Sequence, residues 1–516
     1  MTRQNKLYIF SFLTIVFLSS CSKTIQEDNL SYPTLNPTRL DTNTNDWKFI
    51  LLTKTGDINC PAPMDVNSNL YPIEIKKIKD IQANLSSSDQ NLINYWGSGS
   101  ILRWNEIMRE LVAKNNLPPY QNPDGSYPIP NSNNPFAYPT FPFATPPYAA
   151  RAYAYLSASQ YDALIVAYHY KKIYRKKFPF ETDSQIRSSF KNNYISSFPC
   201  EDAVIAGVSL EIMKLLFPAD FETINTKVLE HKKARMAGGS CTESDWEASM
   251  QLGKEVASKF ISRAKTDGAG TAGGNASLWK NLEQTAVSRG ETPWISQESP
   301  PRPPMLPLFG KVQPFLFPTS AIAANLRPSP PPSVHSDQFK KELEEILQFS
   351  GNLTRDQERI ANFWADGIRT YTPPGHWNHI ASEDYVQMNL SEPRWSRNMA
   401  LLNMALMDAA IVAWDAKYYY FNPRPMQMDT RIKTCLGLPN FPAFISGHST
   451  FSGAAAQILG YLNPTKKDHY NEMAKEASDS RLYGCIHYRS DCEVGLVVGK
   501  KIGNYAIERA KSDGAE

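Results

Sequence analysis

The sequence predicts an all-α protein made of two related helical bundles. Apolar residues recur at three- and four-residue spacing in 398–417, 449–462 and 493–511, and the two-residue alternation of strands is scarce. The chain also repeats itself at a separation of 246 residues. A repeat this long is not a solenoid, so we expect two helical halves packed about a pseudo-twofold axis.

Several pairs of segments carry the repeat. "FPCEDAVIAGVSLEIMKLLFP" from Phe198 resembles "FPAFISGHSTFSGAAAQILGYLNP" from Phe441, although this match requires a small insertion or deletion. The other matching pairs begin at Asp162 and Asp408 ("DALIVAY", "DAAIVAW") or begin at Gly253 and Gly499, and a further upstream pair, 268 residues apart, ends at Trp96 and Trp364. The repeat therefore covers most of both halves.

Proline-rich stretches divide the chain. Residues 117–148 and 298–334 contain too many prolines for helix; we interpret the first as an insertion and the second as the joint between the halves. The predicted order is a leader 1–21, a polar tether 22–55, a first helical half 56–290, a connector 291–335 and a second half 336–516.

The N-terminus has the pattern of an export signal. Arg3 and Lys6 precede an apolar run, Leu7–Leu18, that is too short to span a bilayer comfortably. The following Leu-Ser-Ser-Cys resembles the bacterial lipoprotein cleavage box, which implies lipidation of Cys21 and anchoring of an exported protein at a membrane. The alternative is an ordinary secretory signal with an incidental cysteine. No later segment has the apolarity expected of a transmembrane span.

Net charge and cysteine content limit the classes of ligand and cross-link that the sequence predicts. A net charge of +3 implies no general affinity for nucleic acid. Six cysteines follow Cys21, and an exported protein could pair some of them, but the sequence gives no connectivity and no CxxC zinc pattern. The oligomeric state stays open, with a homodimer allowed.

Three short motifs in the second half carry the chemistry. In order, they are Lys417 followed by Arg424-Pro425, then Ser446-Gly447-His448, then Arg481 with His487 and Asp491. The cationic side chains supply many donors to an oxyanion, and a helix N-terminus that opens with glycine adds main-chain N–H groups. Asp491 lies four residues after His487 and can fix which ring nitrogen is free. Each motif alone is typical of a surface or a helix cap, whereas the three together predict an oxyanion cage.

These motifs resemble those of the superfamily that contains type 2 phosphatidic acid phosphatases and vanadium haloperoxidases. The family patterns are Lys-x6-Arg-Pro, Pro-Ser-Gly-His and Ser-Arg-x5-His-x3-Asp; Ile445 replaces the proline of the second. The segment 363–381, "FWADGIRTYTPPGHWNHIA", and the proline-rich joint are similar to the larger haloperoxidase-like members. The resemblance implies a vanadium chloroperoxidase-like fold with the site in the C-terminal bundle.

Two reactions fit one cage. With vanadate as cofactor, the resemblance implies a haloperoxidase in which His487 is the ligand to vanadium and His448 is the acid–base group. The groups that would hold the oxygens are Lys417, Arg424, Ser446, Gly447 and Arg481. The substrates would then be hydrogen peroxide and a halide. The alternative is an acid phosphatase in which His487 attacks the phosphorus of a phosphate ester, giving a phosphohistidine, and His448 protonates the leaving alcohol.

Two aromatic residues favour the haloperoxidase. Trp414 lies three residues before Lys417, and Phe441 lies seven before His448. In chloride-oxidising members aromatic residues occupy these positions beside the halide, although both could be core residues. A non-enzyme that only binds phosphate or vanadate is a third interpretation, and the two histidines with an orienting aspartate disfavour it. His376 and His379 could line the entrance or be structural.

The first half serves as an internal comparison. It keeps Lys171, Arg235, Gly238 and Asp245 at the same separation, but Phe178 replaces Arg424 and Cys241 replaces His487. It contains nothing like Ser-Gly-His. We therefore expect the first half to be a non-catalytic partner of the second.

Overall fold

A computed structural model describes residues 32–117, 145–190, 195–299 and 301–516 of the chain. These residues form seventeen α-helices with short 3-10 and π turns, and no β-strand occurs among them, which confirms the all-α prediction. The helices are α1 (Tyr71–Ala83), α2 (Ser87–Gly97), α3 (Ser100–Asn115), α4 (Pro146–Tyr174), α5 (Pro179–Thr182), α6 (Glu201–Leu216), α7 (Phe221–Ala237), α8 (Glu243–Thr266), α9 (Ala276–Ser288), α10 (Asp337–Phe349), α11 (Arg355–Phe363), α12 (Thr372–Met388), α13 (Glu392–Tyr420), α14 (Pro425–Met428), α15 (Gly447–Leu462), α16 (Lys467–Tyr483) and α17 (Arg489–Ser512).

The internal repeat is a structural repeat. Helices α4 to α8 correspond to α13 to α17 with the same lengths and a constant separation of 246 residues. The two longest helices also end alike, at left-handed residues Arg175 and Phe421. Because the separation is constant, no insertion or deletion lies between α6 and α15. Phe198 therefore corresponds to Phe444, and the sequence match of Phe198 to Phe441 was wrong.

Helices α4 and α13 form the centre of the molecule. They pack against each other, and a single apolar core runs through both halves around them. The stretch Glu392–Met428 is long and apolar enough by composition to cross a membrane, although its most apolar part is wholly buried inside the protein. The expectation that no segment after the leader reaches this apolarity was therefore wrong: the central helix of a two-bundle core is surrounded by other helices and needs no polar face.

Parts of the predicted tether and insertion belong to the folded body. The leader, Cys21 and the insertion between 118 and 144 lie outside the described residues, so lipidation stays a prediction. From residue 32 onward the tether is packed rather than free: the carboxylate of Asp162 accepts hydrogen bonds from the main-chain N–H groups of 50–52 at 2.7–3.0 Å. The predicted insertion ends earlier than 148, because α4 begins at Pro146, where proline at a helix start sacrifices no hydrogen bond. In the described residues of the connector, a 3-10 turn and a π turn are the only helical elements, as its prolines predict.

Glycines set the spacing of α15 and α17, the two helices whose N-termini carry the Ser-Gly-His and His-Asp residues. A Cβ atom on Gly499 would overlap the carbonyl oxygen of Thr450, and one on Gly453 would lie 2.5 Å from the carbonyl oxygen of Leu496. The same close approach occurs between α6 and α8 at Gly207 and Gly253. Backbone contact at Gly453 and Gly499 therefore fixes the distance between the Ser-Gly-His residues and the His-Asp residues of the candidate site.

We expect Gly499→Ala to destabilise the protein, because its methyl group would push α17 away from α15. Overpacking of this kind costs about 1–3 kcal/mol of unfolding free energy. Urea unfolding followed by circular dichroism measures it. Gly56→Ala is the control, since nothing lies within 4 Å of a Cβ there, and its effect should stay below about 0.5 kcal/mol. Equal effects of the two variants would show that the helix spacing does not depend on Gly499.

Candidate active site

The three motifs meet at a cavity of about 320 Å³. The end of α13, the segment before α15, the start of α15 and the loop between α16 and α17 all contribute to it. The predicted residues that line the cavity are Trp414, Phe441, Gly447, His448, Arg481 and His487. Lys417, Arg424, Ser446 and Asp491 are buried and are not on the cavity wall. The structure thus brings all ten predicted residues into one region, where six line the cavity and four are buried outside its wall.

The proline-rich connector forms the opposite wall of the cavity. Pro303, Pro304, Met305 and Leu306 line it. The carbonyl oxygen of Met305 accepts a hydrogen bond from the indole of Trp414 at 3.2 Å, which fixes this wall against α13. Since most of the lining is apolar, water is a poor competitor for polar groups at the bottom of the cavity.

The turn at Ser446-Gly447 opens α15 onto the cavity. Ser446 is the N-cap: its Oγ accepts from the main-chain N–H of Ser449 at 3.3 Å and keeps its own hydroxyl proton to donate. A Cβ on Gly447 would lie 3.7 Å from the ring of Trp414, so a side chain there would occupy cavity space. The first N–H groups of the helix therefore face a space that glycine leaves open, as an anion site requires.

Three buried cations surround this point without a carboxylate partner. Lys417, Arg424 and Arg481 are at most 1 % exposed, and no described carboxylate lies within 4.0 Å of their charged nitrogens. Main-chain carbonyls solvate them instead: Lys417 Nζ donates to the carbonyls of 442 and 443 at 2.9 Å. Burial lowers the pKa of each arginine to about 10 and that of Lys417 well below its usual range. Buried charge without a counter-charge is unfavourable, so this cluster is built to receive an anion.

His487 is held in one orientation by Asp491, as the spacing predicted. Its Nδ1 donates to Asp491 Oδ2 at 2.8 Å, which leaves Nε2 as the unprotonated nitrogen. Arg424 Nη1 lies 3.0 Å from that Nε2 and donates to it. Burial and, next, Arg424 hold the pKa of His487 well below its usual range, so the ring is neutral and its Nε2 lone pair is available to an electrophile.

His448 is the second histidine at the cavity. It hydrogen-bonds to the main chain of Trp364, and its Nε2 is buried with no hydrogen-bond partner among the described residues. The pKa of His448 lies well below its usual range because of burial and then of Arg481. An unpartnered nitrogen beside the cation cluster is positioned to exchange a proton with a bound molecule.

Asp366 is a site residue that sequence reasoning missed. Its carboxylate lies 3.9 Å from Nε2 of His448 and accepts from Nδ1 of His376 at 3.1 Å. The ring of His376 stacks on Trp364 at 4.4 Å. His376 thus orients a carboxylate toward His448, while His379 contacts Glu383 at 3.6 Å and does not line the cavity. An acidic residue inside the quoted segment 363–381 was the only sequence signal, and its partner is 82 positions away.

The first half neutralises its own cations. Asp202 occupies the position that corresponds to His448, and Arg235 pairs with it at 2.7 Å. Glu201, in the position of Gly447, lies 3.6 Å from Lys171. Internal carboxylates therefore take the place that an external anion would have in the second half. The sequence match of Phe198 to Phe441, which required an insertion or deletion, concealed the correspondence of Asp202 to His448.

Comparisons with known proteins concern the segment that contains the motifs and the overall fold. Residues 398–508, which contain all three motifs, match the family model described as the PAP2 superfamily. This match lies wholly within the second half of the chain. The fold is similar to the crystal structure of a bacterial vanadium-dependent iodoperoxidase, with 21% identity, a TM-score of 0.57, and coverage of 79% of this chain and 96% of that chain.

Two further solved structures show the same fold similarity. The apo-type bacterial vanadium-dependent chloroperoxidase is 13% identical with a TM-score of 0.50, covering 70% of this chain and 93% of the other. The holo-type structure is 12% identical with a TM-score of 0.50, covering 75% of this chain and 97% of the other. The architecture is therefore a vanadium haloperoxidase fold over most of the chain.

We expect Arg481→Ala to weaken the binding of orthovanadate or phosphate by about 1.5–3 kcal/mol, the scale of a lost charged hydrogen bond. Calorimetric titration of the purified protein measures this. Arg235→Ala is the matched control on the corresponding helix of the first half, and its anion affinity should equal that of the wild type, because Asp202 already engages Arg235. Equal losses in the two variants would show that both halves bind an anion.

Proposed function

We propose that the protein is a vanadate-dependent haloperoxidase that oxidises a halide with hydrogen peroxide. The observation that carries the proposal is the cluster of Lys417, Arg424 and Arg481, buried without carboxylate partners beside the unprotonated Nε2 of His487. A metal oxyanion supplies both the negative charge that the cations lack and an electrophilic centre for a nitrogen lone pair. The fold similarity to vanadium-dependent peroxidases supports this choice of oxyanion.

The residues present fit vanadate. Nε2 of His487 would bond to the metal, and the oxygens would be held by Lys417, Arg424, Arg481, Ser446 Oγ and the main-chain N–H of Gly447. Bound vanadate supplies a Lewis acid that activates peroxide toward a halide without requiring a change of metal oxidation state. Arg424 Nη1 would pass from Nε2 of His487 to an oxygen of the anion, which frees the nitrogen at the moment of binding.

The chain itself moves the protons. Nε2 of His448 accepts a proton from the incoming peroxide and later donates a proton to the oxygen atom that leaves the site. Asp366 stabilises the imidazolium form that this transfer creates, because its carboxylate faces the same nitrogen at 3.9 Å. His376 keeps that carboxylate oriented. The apolar connector wall excludes water and so strengthens these charge interactions.

Trp414 and Phe441 support a halide site. Their ring centroids lie 4.9 Å apart, and both rings line the cavity. Lys417 Nζ lies behind them, 5.0 Å from the ring centre of Phe441. A weakly hydrated anion such as bromide is favoured beside aromatic ring edges with a cation behind them.

The alternative is a PAP2-type acid phosphatase, which the family match of residues 398–508 favours. The same cations would hold the phosphoryl oxygens, Nε2 of His487 would attack phosphorus to form a phosphohistidine, and His448 would protonate the leaving alcohol. Nothing in the cage itself excludes this reaction, so a direct comparison of the two activities is required.

Protein loaded with orthovanadate should oxidise bromide in the presence of hydrogen peroxide, measured by bromination of a dye, and the vanadate-free protein should not. Hydrolysis of p-nitrophenyl phosphate is measured on the same preparation. His487→Ala should abolish either activity, because it removes the only direct bond to the anion, whereas Cys241→Ala at the corresponding position should stay within a few fold. Rapid phosphate hydrolysis without bromide oxidation at any pH would reverse the assignment in favour of the phosphatase.

Asp366→Asn should lower turnover by roughly tenfold or more, since general acid–base catalysis contributes about 10²–10⁴-fold and this change removes only the charge that supports it. Loss of a nearby negative charge lowers the pKa of His448 further, so the limb of the pH–rate profile that depends on His448 should move to lower pH. Asp356→Asn, on the exposed face of α11, is the control. An unchanged profile for Asp366→Asn would exclude a role of this carboxylate in proton transfer.

A further inference from the structure

Two cysteines meet at the loop that carries His487. The thiols of Cys435 and Cys485 both donate to the carbonyl oxygen of Tyr483, each at 3.6 Å. Two sulfurs that share one acceptor lie no more than twice that distance apart. The sequence placed these cysteines 50 positions apart and gave no reason to pair them.

The residues next to the two cysteines also touch, through the side chain of Leu436. A Cβ on Gly484 would lie 2.7 Å from Cδ1 of Leu436, so the residues next to each cysteine are in direct contact. A disulfide requires Cα atoms roughly 4.4–6.8 Å apart and Cβ atoms about 3.5–4.5 Å apart. To reach such distances, Cys435 and Cys485 would need side-chain rotation and a small loop movement.

The two thiols differ in access. Cys435 is exposed, whereas Cys485 is buried, and its thiol also points to the carbonyl of Ile346 at 3.8 Å. This is the usual division between a thiol that meets the oxidant and one that resolves the product.

We propose that Cys435 and Cys485 form an oxidation-dependent disulfide beside the active site. The sulfur of Cys435 attacks hydrogen peroxide, the O–O bond breaks, and a sulfenic acid and one water result. The sulfur of Cys485 then attacks the Cys435 sulfur, its proton leaves with the departing hydroxyl as a second water, and the S–S bond forms. Two thiols are oxidised and one peroxide is reduced to two waters.

The bond would connect two parts of the active-site wall. Cys485 lies two residues before His487, and Cys435 directly precedes Leu436, Gly437 and Leu438, which line the cavity. The disulfide therefore ties the loop of the anion-binding histidine to the cavity rim. The site is independent of the proposed reaction, since added peroxide tests it in a phosphatase as well as in a haloperoxidase.

The test treats the purified full-length protein with a small excess of hydrogen peroxide, blocks free thiols under denaturing conditions and maps the peptides by mass spectrometry. The expected result is a Cys435–Cys485 cross-linked peptide that lacks two hydrogen atoms and disappears after dithiothreitol, while buried Cys60 remains alkylated. If both cysteines remain alkylated, or if Cys485 is found joined to Cys492, the proposal is wrong.

Single variants separate the two roles. In Cys485→Ser the cross-link should be absent and a sulfenic acid on Cys435 should be trapped by dimedone, because no thiol is there to resolve it. Cys435→Ser should show neither product and no dimedone adduct on Cys485. A dimedone adduct on Cys485 in that variant would contradict the assigned order of attack.

Discussion

Like charges buried together are the constraint on which the second half depends. Lys417, Arg424 and Arg481 are removed from water without any carboxylate partner, and the N-terminus of α15 adds further positive potential. Each uncompensated buried ion costs several kcal/mol even after relaxation. The surrounding structure holds them in place by main-chain carbonyls, by the glycine-spaced packing of α15 on α17 and by the connector wall. In the proposed function, an oxyanion bound among these cations would recover this unfavourable free energy as binding energy.

The two halves show what the same scaffold does with and without this constraint. Equivalent helices carry equivalent cations, but Glu201 and Asp202 neutralise Lys171 and Arg235 inside the first half. The long helix α4 of that half packs against α13 across a shared core. In the first half two carboxylates replace Gly447 and His448, and Phe178 and Cys241 replace Arg424 and His487. Internal ion pairs therefore stand where the second half has cations without a carboxylate partner.

Much of the fold and site could be predicted from sequence because both depend on local spacing. Apolar periodicity gave the helices, and His487 with Asp491 four residues later gave an oriented imidazole. Contacts between distant segments could not be predicted in this way. Asp366 lies between α11 and α12 and reaches His448 only when these helices pack against the second half. The proline-rich connector becomes a cavity wall only in the folded protein. The polar "tether" is packed because the buried carboxylate of Asp162 binds its main chain.

A crystal structure of the protein grown or soaked with orthovanadate tests directly whether the buried cations hold an oxyanion. We expect vanadate bonded to Nε2 of His487, with Arg424 turned from that nitrogen onto an oxygen of the anion and with Lys417 and Arg481 also in contact. The first half should contain none. Vanadate bound at Arg235 instead, or no ordered anion beside His487 at saturating concentration, would contradict this expectation.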